Sequence, residues 1–478
     1  MIIRKFSLLL LILSLIIGCK TTNDPNDPNS LPNNGFENSQ VAKVFADNCA
    51  ISGCHAGPSP QNGLSLETHE NLIAGSSARP GGGTNYGGEV IIPFDAENSL
   101  LYKLVAAAIS PRMPFGRTPL TQGQIDIVKR WIDNGAQNYL GDVPSANPSY
   151  KVYVCNQASD KISVIDGDKY IVSRIADVDQ NTGTDSPHMV KELGEFYYVT
   201  LISSGKFLKI RKSDNSIVGQ VDNLVIPGMI QFHHSGTKAY VSRSASGTGD
   251  FPGIYVIDIV NMSLIGEIAL SGGGVPHGLV FHPDPVKEIL YVANLTKNLI
   301  HIVNTVTELQ DDLFQFTINQ EPMQLNISPD GDYLFVSARA TSKLLMWDTR
   351  VKQKIFEVDV NNSPMHIAVA SDDNKIYVSS MGGNVVEVIS RTSETSWQRT
   401  NQIGHPAFSM LHGCDITSDD RYLYVSSRNL DGSFVPTYLP IGSNEKTATV
   451  GIIDTQTESV IKVLEIEEYG SGLVVEKR

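Results

Sequence analysis

Lys151-Val-Tyr-Val-Cys155 is the first of seven similar stretches in the second part of the chain. The other six are Phe196-Tyr-Tyr-Val-Thr200, Ala239-Tyr-Val-Ser242, Leu290-Tyr-Val-Ala293, Tyr333-Leu-Phe-Val-Ser337, Ile376-Tyr-Val-Ser379 and Tyr422-Leu-Tyr-Val-Ser426. Aromatic and β-branched residues dominate each stretch, which favours a β-strand. The copies recur every 40 to 50 residues or so, a period that suits one four-stranded blade of a β-propeller.

Further strands of each blade follow from the segments around these stretches. A second strand ends in forms such as Ser163-Val-Ile-Asp166, and the strand that lines the channel opens with turns such as Pro276-His-Gly-Leu. The chain finishes on Gly470-Ser-Gly-Leu-Val-Val-Glu476, an inner strand with no blade after it. We expect this strand to complete the first blade, because closure removes the unpaired edges of an open sheet.

These repeats resemble those of the YVTN-type propellers, and the resemblance covers nearly all of residues 150–478. It implies a seven-bladed, all-β propeller over residues 148–478. The repeated motif indicates a fold and does not indicate an activity, because one fold carries many functions.

A second pattern lies earlier, at Cys49-Ala-Ile-Ser-Gly-Cys54-His55. Two thiols can add to the vinyl groups of a haem, and an adjacent histidine can bind its iron. The usual attachment sequence has two residues between the cysteines, whereas this one has four. Met113, in Arg112-Met113-Pro114, is a candidate for the second axial ligand. A local disulfide is the alternative for the two thiols, and a zinc site would need a fourth ligand.

The pattern resembles small cytochrome c domains with a widened attachment loop, which end in a Met-Pro turn and a helix. The resemblance implies a small all-α domain at residues 36–140, and therefore a multidomain chain. It also implies one haem c, attached through Cys49 and Cys54 and ligated by His55 and Met113. Apolar periodicity predicts helices at 41–47, 96–109 and 122–134.

The propeller channel is a second candidate site. Alignment of the inner-strand turns puts His188, His277 and His412 at one equivalent position, and His366 lies one position later. Imidazoles that converge on a channel could bind copper or a second haem. The alternative is that Pro-His-Gly is a common turn of such propellers.

The first residues of the chain indicate where the protein is located. Residues 1–18 are typical of a secretory leader, with Arg4 and Lys5 before an apolar run that is short for a membrane span. Ile16-Ile17-Gly18-Cys19 resembles a bacterial lipoprotein box, which implies a lipid on Cys19 and an envelope location, with the outer membrane favoured. A plain signal peptide or an inserted helix is the alternative. Residues 19–35 are rich in Asn, Asp and Pro and predict a disordered tether.

Composition limits the partners. The 478 residues carry a net charge of −14, with no basic run, which excludes nucleic acid as an expected partner. Cys155 and Cys414 lie in or beside strand-like runs and are expected to be buried thiols, with a disulfide between them left open.

Three functions fit these patterns. The first is an envelope electron carrier whose propeller docks a redox protein. The second is a redox enzyme in which the c-type haem feeds a further metal or haem in the channel. The third is a non-redox surface protein for binding or scaffolding.

Overall fold

The computed structural model describes residues 32–76, 90–180, 182–244, 252–436 and 446–477. These residues form four α-helices and 28 β-strands. The helices are α1 Ser39–Asn48, α2 His69–Ala74, α3 Leu100–Val105 and α4 Gln122–Asp133. All 28 strands lie after residue 150, and the fold is therefore almost entirely β.

The strands form seven four-stranded antiparallel sheets. In chain order they are β1 Lys151–Asn156, β2 Lys161–Asp166, β3 Ile171–Asp177, β4 Pro187–Leu193, β5 Phe196–Leu201, β6 Lys206–Arg211, β7 Ile217–Val221, β8 Pro227–Phe232, β9 Lys238–Arg243, β10 Gly253–Asp258, β11 Ser263–Ala269, β12 Pro276–Phe281, β13 Ile289–Asn294, β14 Leu299–Asn304, β15 Leu309–Gln315, β16 Pro322–Ile327, β17 Tyr333–Ala338, β18 Lys343–Asp348, β19 Gln353–Asp359, β20 Pro364–Val369, β21 Lys375–Ser380, β22 Val385–Ser393, β23 Ser396–Gly404, β24 Leu411–Ile416, β25 Tyr422–Ser427, β26 Thr447–Asp454, β27 Ser459–Glu468 and β28 Gly470–Val475. Six sheets are consecutive in the chain, and the seventh has the order β28-β1-β2-β3.

The ring closes through β28, as the sequence predicts. β28 pairs antiparallel with β1, with Tyr153 opposite Val474 and Val152 opposite Val475. The inner strands β4, β8, β12, β16, β20, β24 and β28 contact one another in a closed cycle. The seven-bladed propeller is therefore confirmed.

The tyrosines of the repeated stretches lie between the blades. Tyr153, Tyr197, Tyr240, Tyr377 and Tyr424 are among the largest fully buried side chains. The rings of Tyr153 and Tyr197, from neighbouring blades, stack with centroids 4.4 Å apart. The Tyr-Val strand of each blade thus places an aromatic ring in the space between neighbouring sheets. This packing explains why an aromatic residue recurs in these stretches.

A hydroxyl that follows the Tyr-Val pair joins one blade to the next. Ser337 Oγ accepts a hydrogen bond from the Gln324 N–H of its own inner strand, at 3.0 Å. It donates to the Met365 carbonyl of the next inner strand, at 2.7 Å. The same two bonds are made by Thr200, Ser379 and Ser426. The repeated hydroxyl is therefore a blade-to-blade connector.

Substitution of this hydroxyl should destabilise the propeller. Ser337→Ala leaves a buried amide and a buried carbonyl without their partner, at a cost of about 1–3 kcal/mol in the free energy of unfolding. The measurement is urea unfolding followed by circular dichroism. The control is Ser235→Ala, at an exposed turn, which should change that free energy by less than about 0.5 kcal/mol. Equal effects of the two variants would contradict the connector role.

The prediction of a separate all-α domain at residues 36–140 is wrong. Before β1, the described residues form four short α-helices, two of them with six residues, and two 3-10 turns. The helix predicted at 96–109 is shortened to Leu100–Val105, because Ser99 bonds to the preceding turn and Ala107 adopts a positive φ of 59°. We call this part, residues 32–147, the N-terminal region.

The N-terminal region packs against the propeller. Its apolar core joins α1 and α4 through Phe45, Val128 and Trp131. Arg174 of β3 lies over the ring of Phe94, 5.2 Å from its centroid, and donates to the Pro144 carbonyl at 3.2 Å. The helices are thus an appendage of an almost wholly β fold.

The predicted leader (residues 1–18), the lipidated Cys19 and most of the predicted tether (19–35) lie outside the described residues. Pro32–Gly35 forms one short 3-10 turn. In the described ranges, no helix has the length and apolar character needed to span a bilayer.

Candidate functional site

One cavity of the N-terminal region collects the four residues predicted to hold haem. It has a volume of about 840 Å³, and Cys49, Cys54, His55 and Met113 all line it. Its wall includes six aliphatic side chains, those of Leu64, Leu66, Val90, Leu101, Leu104 and Val105. A cavity of this size and character is typical of a site for a large apolar cofactor.

The loop between the two cysteines is fixed by backbone hydrogen bonds. Cys49 follows directly on α1, and its carbonyl accepts from the N–H groups of Ile51 and His55, at 2.8 and 3.3 Å. The Cys54 N–H donates to the Ile51 carbonyl at 2.9 Å, and Gly53 has a φ of +81°. Glycine adopts this conformation at little cost, and the turn brings Cys54 and His55 back to the cavity.

His55 is oriented by a backbone carbonyl. Its Nδ1 lies 3.1 Å from the Leu64 carbonyl oxygen. A carbonyl only accepts, so Nδ1 is the donor, and in the neutral ring Nε2 has the free lone pair. This arrangement is typical of metal-binding histidines. The sequence gives no sign that Leu64 plays this part.

The two thiols are not joined in a disulfide. Cys49 and Cys54 are both free, and Cys49 is buried. Burial, with the Cys54 thiol beside it, raises the pKa of Cys49 to about 12, and Arg117 opposes this shift weakly. The local disulfide considered from the sequence is therefore not formed in this structure.

Met113 reaches the same cavity from another segment. Its side chain is half-buried and packs against the core of the N-terminal region. Its N–H donates to the Leu104 carbonyl at 3.0 Å, which ties the Met-Pro turn to the end of α3. His55 and Met113, 58 residues apart in the chain, thus line one space. The donor set fits a covalent haem with two protein ligands.

The four channel histidines also come together. The side chains of His188, His277, His366 and His412 are all buried. The ring centroids of His366 and His412 are 4.8 Å apart, and His188 lies 5.9 Å from His277 and 6.3 Å from His412. The inner strands therefore bring the residues to one end of the channel, as the alignment of turns predicts.

Burial keeps these imidazoles neutral. It lowers the pKa of His277 to about 4 and that of His366 to about 3, and it lowers the pKa of His188 and His412 well below the usual value. Among the described residues, no group of three or more His, Cys, Asp or Glu side chains is arranged to hold a metal ion. Copper or a second haem in the channel stays a prediction.

The sequence patterns do not point to two arginines that lie near the histidines. Arg339 and Arg428 each lie two residues after a repeated hydroxyl, Ser337 and Ser426 respectively. That spacing is the signal that could have found them. Arg428 lies close enough to lower the pKa of all four channel histidines.

The remaining cysteines play no part in either site. Cys155 and Cys414 are buried free thiols, and burial raises the pKa of both. This agrees with the interpretation from the sequence.

Comparisons with known proteins support the fold alone. No family model matches the chain, and no curated protein matches its sequence. Among solved structures, the chain is similar to a protein from Lactobacillus plantarum, with a TM-score of 0.53 and 15% identity over 68% of this chain and 99% of that one. It is similar to the periplasmic gluconolactonase of Pseudomonas aeruginosa, with a TM-score of 0.53 and 12% identity over 68% and 98% of the two chains.

A third similar structure is a hypothetical selenium-binding protein from Sulfolobus tokodaii, with a TM-score of 0.53 and 14% identity over 68% and 93% of the two chains. Identities this low carry a fold and no activity. The chain is a seven-bladed β-propeller protein with an N-terminal region of short helices.

Proposed function

We propose that the protein transfers electrons through one haem c in the cavity of the N-terminal region, attached to Cys49 and Cys54 and ligated by His55 and Met113. The observation that carries the proposal is that these four residues, drawn from two separate segments, line one apolar cavity. Bound haem would supply a one-electron iron couple. His55 and Met113 would both hold the iron, and a haem held by two protein side chains would favour electron transfer over oxygen binding.

The contacts around the cavity support this role. The Leu64 carbonyl orients His55 so that Nε2 is the available nitrogen. The aliphatic side chains that line the cavity would lower the local dielectric, and together with a methionine ligand this would favour the reduced state of a bound haem. Pro436, from the loop between β25 and β26, also lines the cavity, so the propeller lies beside the redox centre. A redox protein docked on that rim would be close enough to exchange electrons. Lipid on Cys19 would hold the assembly at the envelope membrane.

Substitution of Met113 tests whether its thioether binds the haem iron. Met113→Leu removes the thioether and keeps the apolar volume, so the haem should stay covalently bound. Its midpoint potential should fall by roughly 0.1–0.3 V, a part of the ~0.8 V range that axial ligands set. The measurement is a spectroelectrochemical titration of wild type and variant.

The matched control is Met262→Leu, a half-buried methionine of the propeller, which should leave the potential unchanged. An unchanged potential in the Met113 variant would contradict the assigned ligand.

A further inference from the structure

We propose that the channel end of the propeller binds a small oxyanion, carried by a carboxylate or a phosphate, between the side chains of Arg339, Arg428 and His412. This site lies in the propeller and does not depend on the proposed haem.

The arginines lack the acceptors that a guanidinium needs. Arg428 stacks on the ring of Tyr469, 4.6 Å from its centroid, and its Nη1 donates to the Met381 sulfur at 3.8 Å. Arg339 repeats the arrangement with the Met323 sulfur, also at 3.8 Å. A thioether is a weak acceptor. The Nε atoms of both arginines are buried with no hydrogen-bond partner.

The charge of this pair is not neutralised by the protein. Among the described residues, neither arginine makes a salt bridge, and no carboxylate is among the groups that shift the pKa of Arg428. Burial lowers that pKa to about 10, which still leaves Arg428 protonated at neutral pH. Two partly buried cations without a counter-charge are costly, and a bound anion would reduce that cost.

His412 adds another hydrogen-bond donor that has no acceptor in the protein. Both of its ring nitrogens are buried without a hydrogen-bond partner. A neutral imidazole carries one N–H, so His412 has an unused donor whichever tautomer it adopts. His366, 4.8 Å away between ring centroids, also has an unpartnered Nε2. Unpartnered buried polar groups of this number are rare in proteins and call for a ligand or water.

The surrounding charges favour an anion over a metal ion. The groups that shift the pKa values of the four histidines are the histidines themselves, Arg339, Arg428 and Lys191, with the backbone of Met323. All of the charged ones are cations, and no carboxylate or thiolate is among them. A divalent cation would be repelled here, whereas guanidinium and imidazole N–H groups suit carboxylate and phosphate oxygens.

Calorimetric titration tests the site. The probes are malonate, gluconate and inorganic phosphate, each compared with chloride at the same ionic strength. We expect one-to-one binding of at least one probe, with a matching rise in the thermal unfolding midpoint. The tightest-binding probe tells carboxylate from phosphate. Absence of binding by all three would overturn the proposal.

Variants locate the binding. Arg428→Met and Arg339→Met, which keep most of the side-chain volume, should each weaken binding at least tenfold. Arg211→Met, at an exposed ion pair with Asp214, is the control for net charge and should not change it. Near-ultraviolet circular dichroism checks that each variant is folded. If one of the two arginine variants does not fold, the binding measured for the other decides whether the site is correct.

Titration with metal ions distinguishes an oxyanion site from a metal site. Copper(II) and zinc(II) are titrated into wild type and into His412→Ala. Stoichiometric binding of either ion that is lost in His412→Ala and kept in Arg428→Met would overturn the oxyanion site in favour of a metal. The absence of stoichiometric metal binding, together with oxyanion binding, would support the proposal.

Discussion

Deletion of residues 470–478 is expected to prevent the propeller from folding. All six residues of β28 are buried, and the strand pairs with β1 and contacts the inner strands on both sides. Its loss opens the ring and exposes the edge of β1. The expected cost is comparable with the whole ~5–15 kcal/mol that separates folded from unfolded states of typical proteins.

Side-chain contacts of this strand add to the effect. Ser426 Oγ donates to the Ser471 carbonyl at 2.6 Å, and Ser471 Oγ donates to the His188 carbonyl at 3.1 Å. Glu476, next to the strand, pairs with Lys212 at 2.9 Å. Deletion therefore breaks connections to the blades on both sides of the closure.

Near-ultraviolet circular dichroism and urea unfolding measure the outcome. The control is Lys477→Ala, which removes a half-exposed ion pair with Asp415 and should cost no more than about 1 kcal/mol. A truncated chain with a native spectrum and an unchanged urea midpoint would contradict the closure.

The double variant Cys49→Ala/Cys54→Ala is expected to abolish covalent attachment of haem. Each thiol can form one thioether, so the double variant has none and each single variant keeps one. The measurement is haem staining on a denaturing gel with intact mass spectrometry, after expression in a host that matures c-type cytochromes.

Cys155→Ala is the matched control. Cys155 occupies the position of its blade that Ala293 occupies in another, so alanine is compatible with the fold there. Its haem content should equal that of wild type. Covalent haem retained in the double variant would contradict the assignment of Cys49 and Cys54.

The propeller could be predicted because its signal is local and repeated. Each Tyr-Val stretch forms the strand next to the channel-lining strand of its blade, and β28 closes the ring by pairing with β1. The role of Ser337 between blades could not be predicted in the same way, because its acceptor, Met365, belongs to the next blade.

The all-α domain was predicted wrongly for a related reason. Apolar spacing at 96–109 suits a helix, but the bonds of Ser99 delay its start and the backbone conformation at Ala107 ends it early. Apolar periodicity does not report such turns.

The candidate sites were predicted in part. The sequence groups Cys49, Cys54 and His55 and names Met113 as a fourth candidate, and the structure places all four on one cavity. The sequence also groups the channel histidines. It could not show that Arg339 and Arg428 lack counter-charges, because that depends on every element packed around them.

The most direct measurement is a pyridine haemochrome spectrum with total metal analysis on the wild-type protein, matured in a cytochrome c-competent host. We expect one covalent haem and one iron per chain. A matured protein without covalent haem would contradict the proposed function.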